Sequence, residues 1–512
     1  MRLGAALEFH AISKPDQEAL IFNDRRLTWR EVNAGANRAG HAFLRLGAQR
    51  GDRVLLVMAN SVAFVEAYYG LAKIGCISAP VMSSLTGADI AFILNTLRAR
   101  FVLIDAASAD LWRSIADQVP TVEAVIGVGE GHGLDHDFDD MTRDAPHHNP
   151  DIPVDPFDDV TVKFTSGTTG VPKGCVRTHY NFTMAALSSL TEMPVYDNDI
   201  GLVAQPLAAG MALSFLTMYF FKGVTVVMLP HFDAGLYLDA IEQEKITHAT
   251  SMDWMARRFC AHPSFLQRDL SGVRIMHGIN FLETLPPILA QGTFKGGFTA
   301  GYASSEAGGL ISSKTPAEFA RVIADPGFRG GHSSGRPARL FQVECLDDDL
   351  RPVPTGEVGE LAIRGPSVFR GYWERPEETE KVLRDGWLTT GDLAVKDESG
   401  YVYLRGRKRD MIRTGAMNVY PAEIEPIIQQ YPGVREVAVV GLPDPEWGER
   451  VVAAVVADET CTSLDILTYC RDKLAPHKRP KAVEFFDRFP LTASGKIIKK
   501  DVVDILLARG VS

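Results

Sequence analysis

The sequence predicts an α/β protein: a large, multi-sheet N-terminal α/β domain over residues 1–408, followed by a small α+β domain over residues 409–512. Three observations carry that prediction. The chain has 512 residues, more than one hydrophobic core supports. Apolar runs of strand length alternate with helical segments through most of it. The final stretch instead groups neighbouring strands with short helices.

Taken in order, Val54-Leu55-Leu56-Val57-Met58 and Val102-Leu103-Ile104-Asp105 are strand-length and apolar without alternation, and a helical segment, 64–73, lies between them. Unalternated strands are buried on both faces, as in parallel sheets covered by helices. Residues 127–159, rich in Gly, Asp, His and Pro, read as an exposed connection. Its His136, His147 and His148 beside several aspartates fit a solvated acidic loop better than a metal site. Residues 200–221 carry no charge and are long enough to cross a bilayer. Gln205, Pro206 and Gly210 interrupt them early, and the part from Met211 makes only about two to three helical turns. It then runs through Lys222-Gly223 into a strand, 224–229, so a buried helix feeding a buried strand is expected. In the small domain, strands 437–440 and 451–456 are joined by the turn-rich Gly441-Leu442-Pro443-Asp444-Pro445. A helix 464–474, a strand 482–486 and a terminal helix 501–508 follow. The charged, Gly-bearing Arg405-Gly406-Arg407-Lys408-Arg409-Asp410 precedes this unit as a hinge.

Composition narrows the function classes. Hydrophobic residues make up 46% and charged residues 23%, which excludes a mainly disordered chain. A formal net charge of -11 argues against nucleic acid, where neutralising phosphates supplies most of the affinity. The six cysteines show no CxxC or zinc-finger spacing, and the N-terminus lacks the pattern of a signal peptide. A cytoplasmic enzyme without a membrane span is expected.

The most informative segment is Val162-Lys163-Phe164-Thr165-Ser166-Gly167-Thr168-Thr169-Gly170-Val171-Pro172-Lys173-Gly174, directly after a short strand. Its glycines let backbone N–H groups approach oxygens, its hydroxyls donate further hydrogen bonds, and its lysine adds a point charge. Together these make a cradle for polyphosphate, although a polar Gly-rich loop alone is also what a surface turn looks like. It is not a Walker loop: Pro172 stands where that motif needs glycine, and Gly174 stands where it needs Ser or Thr. Gly331-His332-Ser333-Ser334-Gly335 matches the GxSxG of serine hydrolases, the remote alternative. Its flanks, Asp325-Pro326-Gly327 before and Arg336-Pro337 after, are not the strand and helix of a nucleophile elbow. No GxGxxG opens a helix, so no nicotinamide site is expected.

The loop 165–174 is similar to the signature of the adenylate-forming superfamily: acyl- and aryl-CoA synthetases, adenylation domains of nonribosomal peptide synthetases, and beetle luciferases. Four further segments resemble that family's motifs, in its order. They are Gly301-Tyr302-Ala303-Ser304-Ser305-Glu306, Gly386-Trp387-Leu388-Thr389-Thr390-Gly391-Asp392, the stretch from Arg405-Gly406-Arg407 to Glu423-Ile424-Glu425, and Pro490-Leu491-Thr492-Ala493-Ser494-Gly495-Lys496. The resemblance runs from about Leu27-Thr28-Trp29 to Lys496, nearly the whole chain.

That resemblance implies ATP, Mg²⁺ and coenzyme A as the partners of a carboxylic acid. A carboxylate attacking the α-phosphate must overcome anion–anion repulsion, so cations and donors should face the developing charge. By the resemblance, Thr165, Ser166, Gly167, Thr168, Thr169 and Lys173 hold the β- and γ-phosphates. Glu306 ligates Mg²⁺, an ion that prefers oxygen ligands. Ser305 donates to the α-phosphate, Tyr302 stacks on adenine, and Asp392 with Arg407 takes the ribose hydroxyls. Lys496 bridges the α-phosphate and the substrate carboxylate. The small domain is then mobile, pivoting at Arg409 to bring Thr414-Gly415 near pantetheine.

Many family members have an aromatic-His pair after Pro-Leu; here the chain reads Pro206-Leu207-Ala208-Ala209, without that bulk or ring nitrogen. Gly210 stands where amino-acid-activating members place an aspartate, which argues against an α-amino acid. The acyl pocket is expected at Ala209, Gly210, Met211, Met252, Asp253, His277, Gly278 and Ser304, a mix that favours a largely apolar aryl or aliphatic acid. Asp253 reads as the carboxylate of a helix N-terminus. The expected activity is an ATP-dependent acid–CoA ligase; a carrier protein or an amine as acyl acceptor is the alternative.

Overall fold

The computed structural model describes residues 1–165, 172–278, 285–325, 333–415, 417–491 and 497–511. By contacts the chain divides into two compact units, one of Met1–Val343 and Ile363–Leu388, the other of Glu344–Ala362 and Thr389–Ser512.

Among the described residues the first unit holds two large sheets. One has eight strands in the order Gly371–Tyr372, Lys173–Thr178, Asp159–Thr165, Ile77–Val81, Arg53–Val57, Phe101–Asp105, Ala124–Val128, His136–Asp137. From Asp159–Thr165 to His136–Asp137 the neighbours pair in parallel. The run Val54 to Val57 has no exposed side chain. Side chains alternate across a strand, so Val54 and Leu56 enter a core with Phe43 and Tyr68, while Leu55 and Val57 enter another with Ile93 and Leu94. Burying each such side chain contributes about 1.5–3 kcal/mol. An apolar run without alternation is thus what two helix-covered faces require.

The other sheet has nine strands in the order Arg336–Pro337, Ser312–Lys314, Gly297–Tyr302, Ile275–His277, His248–Thr250, Ile200–Val203, Thr225–Met228, Glu18–Phe22, Arg25–Thr28. Its six central strands are parallel. The uncharged segment resolves as expected into the helix Met211–Lys222 and the strand Thr225–Met228. Gly223 ends the helix in the left-handed region (φ 78°), its N–H donating to the Tyr219 carbonyl at 2.8 Å. Among the described residues no helix is long and apolar enough to cross a membrane.

In the second unit, Gly448–Ala457 is the central strand of a sheet that includes Val434–Asp444, Ile412–Thr414 and Met417–Val419, with Ala482–Phe485 alongside in parallel. Val451, Ala453 and Val455 face Ile424, Ile428 and Ile466. Val452, Ala454 and Val456 face Val502 and Leu506. The strand is therefore sandwiched between helices on both sides.

Two expectations are corrected. Residues 441–444 do not form the turn of the C-terminal hairpin; they continue the strand Val434–Asp444, and the reversal comes at 445–447. Pro443 is tolerated because this strand is at the sheet edge, where a missing N–H costs no ladder bond. Asp444 then caps the turn, accepting from the N–H of Glu446 and Trp447 at 2.9 Å. Residues 127–159 are not a bare connection either: they carry the strand His136–Asp137 and the helix Phe138–Arg143. Asp137 caps that helix and Phe138 is 1% exposed. One buried aromatic in a polar run gives too little periodicity to reveal a six-residue helix.

Candidate active site

In open α/β sheets ligands bind beyond the carboxyl ends of the strands. The segments singled out in the sequence of the first unit lie there. Thr165 ends Asp159–Thr165, His277-Gly278 ends Ile275–His277, and Tyr302 ends Gly297–Tyr302. Met252-Asp253 follows His248–Thr250 and opens the helix Asp253–Cys260, so Asp253 does sit at a helix N-terminus.

The segment expected to hold phosphate is flanked by two antiparallel strands, with Thr165 opposite Lys173 and Phe164 opposite Gly174. Ser166, Gly167, Thr168 and Thr169 lie outside the described residues. Gly174 is required by close packing: a Cβ there would sit 2.6 Å from Val162 Cγ1. Lys173 Nζ lies 2.5 Å from Glu378 Oε2 and 5.2 Å from the Tyr372 ring centre. The lysine holds the Glu378 carboxyl down at about 2. The Tyr372 hydroxyl donates to Glu306 Oε1 at 3.0 Å. Burial first, and then the Glu306 carboxylate, raises the Tyr372 pKa, so the ring stays a neutral donor. Lys173, Tyr372 and Glu306 thus form a linked row, which joins the strand Lys173–Thr178 of one sheet to the end of Gly297–Tyr302 in the other.

The turn bearing Ser304, Ser305 and Glu306 is held from several sides. Ser304 Oγ accepts from the Ala307 N–H at 3.1 Å, and the Phe369 N–H donates to the Glu306 carbonyl at 2.7 Å. Arg177, only 5% exposed, donates to the carbonyls of Ser305 and Ser367. Gly308 (φ 65°) makes room for it, since a Cβ would meet Arg177 Nη1 at 2.1 Å. Sequence reasoning missed Arg177 and Glu378. A lone arginine in the strand Lys173–Thr178 was the available signal for the first.

At the expected acyl pocket, Leu207–Ala209 forms a 3₁₀ turn, Gly210 takes φ 84°, and Met211 starts the helix. Buried Asn60 pins this turn: its amide donates to the carbonyls of Gln205 and Leu229 at 2.9 Å, and its oxygen accepts from the Leu207 N–H at 2.7 Å. Lys163 Nζ donates to the Ala209 carbonyl at 2.6 Å. His277, buried, shares a hydrogen bond of 2.8 Å with Thr299 Oγ1 and packs 5.0 Å from Phe215. Burial lowers its pKa to about 4, so the ring is neutral. The Gly278 N–H donates to the Thr299 carbonyl at 3.1 Å. Neither Asn60 nor Lys163 was assigned a role from the sequence. Downstream, Ser333 of the GxSxG match accepts from the Gly335 N–H at 3.1 Å, and the strand Arg336–Pro337 follows where a nucleophile elbow needs a helix.

In the second unit, Asp392 and Arg407 are opposite each other on antiparallel strands, with Arg407 Nε 2.9 Å from Asp392 Oδ1. Arg407 also donates to the Thr390 carbonyl at 3.0 Å. Glu360, not foreseen, accepts from the Gly391 N–H at 3.0 Å and from Lys408 Nζ at 2.9 Å. Arg409 lies in the 3₁₀ turn Lys408–Asp410. Thr414 ends a strand, and Gly415 (φ 60°) donates its N–H to the Trp447 carbonyl at 2.7 Å. Lys496 lies outside the described residues; Leu491 and Ile497, on either side of residues 492–496, form an antiparallel bridge.

Comparison with known proteins agrees with this layout. Residues 7–373 match the AMP-binding enzyme family and residues 423–496 match the AMP-binding enzyme C-terminal domain. The chain is 34% identical over 507 residues to the long-chain-fatty-acid–CoA ligase FadD13 of Mycobacterium tuberculosis (strain ATCC 25618 / H37Rv), with 97% of each covered. It is 34% identical over 494 residues to a feruloyl-CoA synthase of Amycolatopsis sp, covering 95% of this chain and 96% of that one. Its fold superposes on the anthranilate CoA ligase AuaEII in complex with anthranoyl-AMP with a TM-score of 0.89 at 26% identity, covering 100% and 98% of the two chains. With its fold, its ordered motifs and a full-length match all in agreement, the chain belongs to the AMP-binding enzymes and is an ATP-dependent, AMP-forming acid–thiol ligase.

Proposed function

We propose that this ligase converts a largely apolar aryl or aliphatic carboxylic acid to its acyl-AMP, releasing pyrophosphate, and then transfers the acyl group to coenzyme A. The observation that carries this reading is the Tyr372 hydroxyl on Glu306, 3.0 Å away, with Lys173 on the same ring. That geometry supports a phosphate-binding role for Lys173 and a metal-ligand role for Glu306 beside it.

In this reading Thr165, Ser166, Gly167, Thr168, Thr169 and Lys173 grip the β- and γ-phosphates, Ser305 donates to the α-phosphate, and Tyr302 stacks on adenine. Asp392 takes the ribose hydroxyls, oriented by Arg407. Glu306 suits Mg²⁺: a half-buried carboxylate fixed by a neutral donor, with phosphate oxygens, is the hard oxygen set that ion prefers. When bound, Mg²⁺ would offset phosphate charge. Lys496 draws the substrate carboxylate toward the α-phosphorus, and removing such a donor costs about 10²–10³ in rate. Residues 409–512 then turn about Arg409, and Thr414-Gly415 meets pantetheine.

His277 is neutral, and it packs on Phe215, which supports an apolar acyl chain or ring. Six free cysteines support a reducing, cytoplasmic setting. The test is a panel of aryl and aliphatic acids with ATP and magnesium, with and without coenzyme A, read by mass spectrometry. An accepted acid should give AMP and acyl-CoA in equal amounts. An acyl-AMP that persists in the presence of coenzyme A would move the acceptor to a carrier protein or an amine.

A further inference from the structure

The helices Trp29–Arg45 and Val62–Lys73 pack closely, and Gly35 makes room for Glu66 between them: a Cβ there would fall 2.0 Å from Glu66 Oε1. Glu66 lines a cleft of about 290 Å³, close to the lower end of the range for small-molecule sites. Arg38 stands three residues after Gly35 and so on the same face of its helix, and it lines the cleft too. Asp139 and Arg143, four residues apart, share a face of the helix Phe138–Arg143. Arg25, which opens the strand Arg25–Thr28, completes the wall. Three guanidiniums therefore reach one cleft from three different elements. Arg143 pairs with Asp140 at 2.6 Å. Among the described residues Arg25, Arg38 and Glu66 form no ion pair, although both arginines are near enough to act on the Glu66 carboxyl. Burial pushes that carboxyl up to about 7; Arg38 and Arg25 oppose the rise, and Asp139 adds to it.

We propose that this cleft binds a phosphate monoester, held by Arg25, Arg38 and Arg143 together with the Glu66 carboxyl. None of these residues belongs to the candidate active site, so this is a second site. Guanidiniums arriving from three elements suit a tetrahedral group, whose oxygens point in several directions. A planar carboxylate is satisfied by a single guanidinium fork. Arg25 and Arg38 gain the anion that no side chain supplies them. Glu66 sets the pH dependence: protonated, it offers an O–H to a phosphate oxygen, and ionised, it repels the anion.

The experiment titrates the full chain by isothermal calorimetry at fixed ionic strength, with glycerol 3-phosphate and with sulfate, whose charge does not change across neutral pH. Wild type should bind both near pH 6 with a Kd at or below about 1 mM. Arg38→Gln should weaken sulfate binding about 10- to 100-fold, the size of one lost charged hydrogen bond. From about pH 6 to about pH 8 the wild-type affinity for sulfate should fall about fivefold, as Glu66 ionises beside the bound anion. Glu66→Gln, which stays a neutral donor, should bind sulfate equally at both. Absence of binding by wild type overturns the site, and so does Arg38→Gln that binds as tightly as wild type, since the anion would then lie elsewhere. A wild-type pH dependence that persists in Glu66→Gln, or succinate that binds more tightly than glycerol 3-phosphate, would overturn it as well. Should Arg38→Gln fail to fold, Arg25→Gln, at an exposed position, reads the same loss.

Discussion

At the residue scale the site is a set of charges held in readiness. Lys173 rests on Glu378, and in the proposed reading that pair competes with an incoming triphosphate. Glu378→Gln should therefore lower the KM for ATP by up to about fivefold, the worth of a partly exposed ion pair; a higher KM would mean the carboxylate aims the lysine. The pH dependence has a definite sign. The Glu378 pKa is lowered from 4.5 to about 2, so the pair's contribution is full above 4.5 and is lost as pH falls toward about 2. Tyr372→Phe removes the donor to Glu306 and should raise the magnesium needed for half-maximal pyrophosphate release about tenfold. An unchanged magnesium requirement would detach Tyr372 from the proposed metal site. Thr165, Lys173, Glu306, Asp392 and Arg407 could be nominated as candidates from the sequence because each sits in a recognisable ordered motif. Arg177, Glu378, Asn60 and Glu360 could not, since each acts through partners distant along the chain, and a single sequence does not record such pairings.

At the scale of elements, strands buried on both faces announce themselves: Arg53–Val57, Phe101–Asp105 and Thr225–Met228 fall where unalternated apolar runs predict. Short elements escape. The helix Phe138–Arg143 is built on one buried aromatic and a capping aspartate, and the edge strand Val434–Asp444 hides a proline that reads as a turn. The helix Met211–Lys222 owes its end to Gly223, where a Cβ would meet His10 Cε1 at 2.4 Å in a left-handed backbone. Gly223→Ala should cost about 1–2 kcal/mol or more in chemical denaturation. A neutral substitution would show that the tail of the helix and His10 can both shift at no cost.

At the scale of the whole molecule, two compact units each bring a complete set of local supports: the Lys173–Tyr372–Glu306 row in one, the Asp392–Arg407 pair and the Gly415–Trp447 turn in the other. The order of motifs made both fold class and chemistry readable from the chain, because the reaction needs the same charges in any sequence that performs it. The acid is less readable, since a pocket is written in shape and not in motif. Gly415→Leu tests the division of labour. With φ 60° and the Trp447 ring 3.2 Å from the position of a Cβ, it should slow thioester formation more than adenylate formation. Equal losses in both half-reactions would argue against a small domain that serves them in turn.

The most direct measurement of the central claim omits coenzyme A altogether and follows exchange of labelled pyrophosphate into ATP. Exchange should appear only when an accepted acid and magnesium are both present. No exchange with any acid of the panel would contradict adenylation, and exchange without acid would contradict the carboxylate as nucleophile.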